Sequence, residues 1–121
     1  MLSNCKPYGA VTWGMGFVEF GGSVFWVTFR IANDGHFAVY LNQLKAAITG
    51  LADGKVWSEP ASFFMFRSKA DLDAVAATLG RAIREDRDFV LIGMPYQQKG
   101  RVVGNWDDDR LMQLMPYARF L

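Results

Sequence analysis

Apolar residues alternate with small or polar ones through residues 11–17 and again through 24–31, the two-residue period that a pleated strand imposes on its faces. In the first stretch Val11, Trp13, Met15 and Phe17 share one side, whereas Thr12, Gly14 and Gly16 leave the other almost bare, open to close approach by a strand, a helix or a ligand. In the second, Phe25, Val27, Phe29 and Ile31 form a core side, and Val24, Trp26, Thr28 and Arg30 an amphipathic one. Gly21-Gly22-Ser23 joins the two as a hairpin. Asn33-Asp34-Gly35-His36 then reads as another tight turn, with Asp-Gly supplying the positive φ of a two-residue hairpin. Phe37, Val39 and Leu41 resume a core face after it, as a third strand.

The period changes next. Leu41, Leu44, Ile48 and Leu51 recur at helical spacing, predicting a short helix that Gly50 ends in the left-handed conformation. Asp53-Gly54 marks a turn, residues 55–58 a short strand, and Glu59-Pro60 a break before residues 61–67 extend again. Ser68 and Asp71 open a second helix in the manner of a capping box. Leu72, Val75, Ala76, Leu79, Ala82 and Ile83 draw its apolar stripe, opposite Lys69, Asp73, Arg81 and Arg84. Residues 89–94 are apolar throughout, as in a central strand covered on both faces, and Pro95 ends them. Residues 97–100 read as a turn into a strand over 101–106. Asp107 then caps a last short helix carrying Leu111, Met112, Leu114 and Met115, which Pro116 interrupts. With no repeat, linker or low-complexity tract, residues 1–121 are expected to form one domain.

This order predicts the α+β class: a mixed, mainly antiparallel sheet of five to six strands packed under two or three helices. The strands at 61–67 and 89–94 are joined through a helix. As neighbours they would run parallel with a right-handed crossover; a split arrangement with a strand between them is the alternative.

Composition narrows the functional classes. Thirteen Lys and Arg nearly cancel twelve Asp and Glu, so no long-range field draws a polyanion and nucleic acid is not a favoured partner. The longest apolar run, residues 89–96, falls far short of the ~18 residues of a membrane span, and no basic-then-apolar leader opens the chain; a cytoplasmic protein is expected. One cysteine, Cys5, and one histidine, His36, supply neither an internal disulfide nor a structural zinc site. Ten Phe, four Trp and four Tyr are more rings than one small core readily hides, which places some of them at a pocket or a subunit contact.

Trp13-Gly14-Met15-Gly16-Phe17-Val18-Glu19-Phe20 resembles the longer ribonucleoprotein signature of the RNA-recognition family at its two glycines, Phe17, Val18 and Phe20. The resemblance implies single-stranded nucleic acid stacked on the sheet. Trp13 replaces the basic residue that meets phosphate, and Met15 the ring that stacks on a base. In that family the motif lies on the third strand, whereas here twelve residues precede it, so a core-forming hairpin arm is the reading carried forward.

No catalytic constellation is expected. His36 follows a turn without a tuning partner in sequence, Cys5 lacks one too, and Asp107-Asp108-Asp109 lack the spacing of a calcium loop and suit a helix start. Gly14 and Gly16 lack the third glycine of a dinucleotide loop, and Lys99, Arg101 and Arg119 read as a solvated edge. No cofactor or metal is called for. The chain reads as a non-enzymatic binding module, self-associating as a homodimer or gripping a protein partner through surplus rings. The alternative is a small-molecule binder or small enzyme with a pocket lined by Trp13, Trp26, Phe29 and Tyr40. Glu19 at its rim would suit a small apolar or cationic ligand, and Trp106 is a further binding candidate.

Overall fold

The computed structural model describes residues 22–106 and 108–121. The arm expected over residues 11–20, with Trp13 and Glu19, lies outside them, as do Cys5 and the Asp107 cap. The strands are β1 (Ser23–Arg30), β2 (Val56–Trp57), β3 (Phe63–Ser68), β4 (Phe89–Met94), β5 (Gln97–Gly104) and β6 (Ala118–Phe120). The helices are α1 (Phe37–Leu51), α2 (Leu72–Gly80) and α3 (Arg110–Leu114).

The strands form one sheet in the order β2-β3-β1-β4-β5-β6, antiparallel at every pairing except β5 with β6. This is the α+β architecture with a mixed, mainly antiparallel sheet. β1 pairs antiparallel with both β3 and β4, so those two run parallel to each other with a strand between them, and the connection through α2 is the split one.

Register decides what lies inside. Val27 stands opposite Phe64 on one side and Ile92 on the other, which aligns Phe25, Val27, Phe64, Phe66, Val90, Ile92 and Val103 on one face. Leu44 and Ile48 of α1 and Leu72, Val75, Ala76 and Leu79 of α2 pack onto that face and complete the main core. Full burial of a Val, Leu, Ile or Phe side chain contributes roughly 1.5–3 kcal/mol. The predicted stripe is buried from Leu72 to Ile83, although α2 itself ends at Gly80, so Ala82 and Ile83 enter the core from the turn that follows it.

Several local expectations are corrected. Residues 37–41 form the first turn of α1 rather than a strand, and α1 runs through Gly50 to an extended C-cap at Ala52. The Asp34 carboxylate accepts the His36 N–H at 2.9 Å and also binds Arg84 at 2.8 Å, fixing the chain as it enters the helix. Asp71 is the N-cap of α2, accepting from the Ala74 N–H at 2.8 Å, while the buried Ser68 accepts from Ala70 at 3.1 Å. β5 begins at Gln97, so the tight turn is Pro95-Tyr96, and β6 forms beyond Pro116 where no strand is predicted.

Candidate functional site

The sheet face turned away from α1 and α2 is unusually rich in rings. A single cross-strand row traverses all six strands: Trp57 on β2, Met65 on β3, Trp26 on β1, Gly93 on β4, Gly100 on β5 and Ala118 on β6. The two glycines are required by what lies over them. A Cβ on Gly93 would stand inside the Trp26 indole, and one on Gly100 would collide with the Met115 methyl.

At the β2 end of this face, Trp26 stacks on Phe63 with ring centroids 6.4 Å apart and planes 14° from parallel. Phe63 in turn meets Trp57 edge to face at 5.9 Å and 81°. Ring pairs of both geometries contribute about 0.5–1.5 kcal/mol beyond area burial. At the β6 end, Val102, Met115 and Ala118 form a second small core, with Trp26, Phe89, Leu91, Trp106 and Leu111 packed around it. Trp106 stacks on Phe120 at 5.1 Å and 27°. The only described helix contributing to this cluster is the five-residue α3. Trp57 is 49% exposed, Phe120 56% and Leu114 84%, so apolar surface remains at both ends.

The residues expected to share one pocket are not brought together. Trp26 and Phe29, with opposite parity on β1, point to opposite faces of the sheet. Phe29 stacks on Phe64 at 5.7 Å and lines a cavity of about 440 Å³ at the end of the sheet, between α1 and the 58–64 segment. Tyr40 packs against the main core beneath the Arg84 guanidinium, 4.1 Å from its ring centre. Trp106 belongs to the second face with Trp26, as described above. Trp57, Phe63 and Phe120 are contributors that alternation alone does not reveal. Their signal is the register that carries Trp57 through Met65 to Trp26.

Several charged groups of the described residues are held in hydrogen bonds and ion pairs. Asp88 is fully buried and accepts from the backbone N–H groups of Ala32 at 2.8 Å and Arg84 at 2.9 Å and from the Arg84 guanidinium at 3.0 and 3.1 Å. Burial alone would raise its pKa, but the Arg84 guanidinium and the two backbone donors outweigh that and hold the carboxyl below its ordinary 3.8. Asp34 is lowered by the His36 N–H and by Arg84 and Arg87, and Asp108 by the Arg110 guanidinium and backbone N–H. Asp109, at the N-cap of α3, makes no side-chain capping bond. Arg101 is tied to Asp73 at 2.6 Å.

Among the described residues no three His, Cys, Asp or Glu side chains cluster as metal ligands, and no helix is long and apolar enough to cross a membrane. His36 is exposed on the first turn side of α1. Comparison with protein-family models, curated proteins and solved structures gives no match.

Proposed function

We propose that this chain is a non-enzymatic interaction module that self-associates through the ring-lined sheet face opposite α1 and α2. The observation that carries the reading is the two-sidedness of the sheet. Three of the chain's four tryptophans, Trp26, Trp57 and Trp106, lie on or against the face that, among the described residues, receives only α3, while two longer helices cover the other. Aromatic and Met enrichment with few charges at the centre is the composition of a subunit contact rather than of a solvated surface.

The face is large enough. Strands of two to eight residues, about 4.8 Å apart and rising about 3.3 Å per residue, present a face of roughly 500 Å² per partner. Doubled, that is about 1,000 Å² in total, the threshold at which a contact between proteins becomes specific. A twofold contact laying this face on its own copy brings Trp57, Met65 and Phe120 against equivalent apolar surface and needs no second protein.

Sedimentation velocity on the full chain tests the reading. Trp57→Ala and Phe120→Ala, both at exposed positions, are expected to weaken association at least tenfold while shifting the thermal midpoint little. Association unaffected by both substitutions would place the contact elsewhere and overturn it.

A further inference from the structure

We infer that the cavity at the end of the sheet is a binding site for a small apolar molecule carrying one anionic head, with Lys45 as the anchor of that head. This site opens at the end of the sheet beside α1, and Phe63, whose ring meets Trp26 and Trp57, is the lining residue it shares with the ring-rich face.

The cavity, about 440 Å³, is walled by Phe29, Phe37, Leu41 and Phe64 and rimmed by the Pro60-Ala61-Ser62 segment. Its volume lies within the range of small-ligand sites and equals about fifteen water volumes, which suits roughly ten to fifteen non-hydrogen atoms. Phe37, Leu41 and Lys45 fall four residues apart on α1 and so share one helix face, two apolar positions followed by a cation.

Charge sets the ligand class. Lys45 and Arg30 are the ionisable residues in the lining, and no carboxylate is among them. The Arg30 guanidinium is directed elsewhere, donating to the Asn105 carbonyl at 2.7 Å and lying 5.9 Å from the Phe89 ring centre. Lys45 enters none of the ion pairs among the described residues, whereas Arg84, Arg87, Arg101, Arg110 and Lys69 each have a carboxylate partner. Two other cavities among the described residues differ on this point. One is lined by the mutually paired Asp108 and Arg110, and the other by Asp71 and Asp73 beside its cations. An apolar cavity with a single uncompensated ammonium at its rim favours an anion over a cation or a neutral molecule of the same shape.

The rim is held in an unusual backbone conformation. Ser62 has φ +58°, the only non-glycine in the left-handed region among the described residues, and the Thr28 hydroxyl donates to its carbonyl at 2.9 Å. Such strain persists where surrounding structure over-determines it, and it concentrates at ligand clamps. Ser58 and Ser62 line the same rim.

Three eight-carbon probes of matched shape test the inference: octanoate, 1-octanol and octylammonium, titrated into the ¹⁵N-labelled full chain and followed by amide shifts. The same titrations on Trp57→Ala make the result independent of association. Saturable octanoate shifts are expected at residues 29–31, 37–45 and 58–64, with 1-octanol about tenfold weaker and octylammonium weaker still. In Lys45→Met, an exposed helix position taking a good helix former, octanoate should lose its advantage while 1-octanol affinity is unchanged. Equal binding of the three probes, no octanoate binding, shifts mapping to another surface, or an advantage that survives Lys45→Met would each overturn the inference.

Discussion

Asp88 shows how little a residue's local sequence says about its environment. Arg84 reads as part of a solvated helix face, yet its side chain is only 14% exposed, because it closes over Asp88 and Tyr40 and reaches Asp34 across 50 residues. The i,i+4 spacing of Arg84 and Asp88 is a readable signal; the reach to Asp34 is not. Removing the negative charge takes from the partly buried guanidinium its bidentate partner and leaves it only Asp34, so Asp88→Asn is expected to destabilise the fold by about 3 kcal/mol in denaturant melts. The sign of the pH dependence follows from the lowered pKa values of Asp34, Asp73, Asp88 and Asp108. Carboxyls more acidic in the folded state contribute stability that is complete above the unfolded-state pKa, about 3.9, and is lost as pH falls through the folded values. Stability should therefore be flat above about pH 5 and drop below about pH 4, and the gap between wild type and Asp88→Asn should narrow over that drop. A gap that widens on acidification would contradict the assignment. Gly93 is the other informative residue: Gly93→Ala must displace the Trp26 indole, and a loss of about 1–3 kcal/mol is expected from the same melts.

Among the elements, those whose apolar period is long and uninterrupted were legible from sequence. β1, β3, β4 and α2 fall where alternation or a helical stripe places them, and the core side of β1 is correct at Phe25, Val27 and Ile31. Phe29 is only half-buried, because it opens onto the terminal cavity. Phe25→Ala is thus expected to cost about 3–5 kcal/mol and Phe29→Ala roughly half as much; equal losses would contradict this burial pattern. The first turn of α1 is misread because Phe37, Val39 and Leu41 satisfy a two-residue period as well as, at Phe37 and Leu41, a four-residue one. The choice is made by the tertiary pairing of Asp34 with Arg84 and Arg87, which no local window contains. β6 escaped for a similar reason: three residues after a proline have no period, and their strand conformation comes from parallel pairing with β5.

At the scale of the whole molecule, the surplus of rings is visible in composition, but its distribution is not. The row from Trp57 to Ala118 exists only once six strands are in register, and it separates Trp26 from Phe29, which sequence alone grouped in one pocket. What results, among the described residues, is a sheet with one face closed by two helices and the other rich in rings beneath one short helix. That two-sidedness is what supports the proposed self-association. The terminal cavity takes its wall from α1, from Phe29 on the core side of β1 and from the 58–64 segment, so Lys45→Met should alter ligand binding without altering association. The central claim is tested most directly by multi-angle light scattering on the wild-type chain over a micromolar concentration series. A mass approaching about 27 kDa, twice the 13.6 kDa of one chain, is the expected result. A mass that stays at 13.6 kDa up to high micromolar concentration would contradict it.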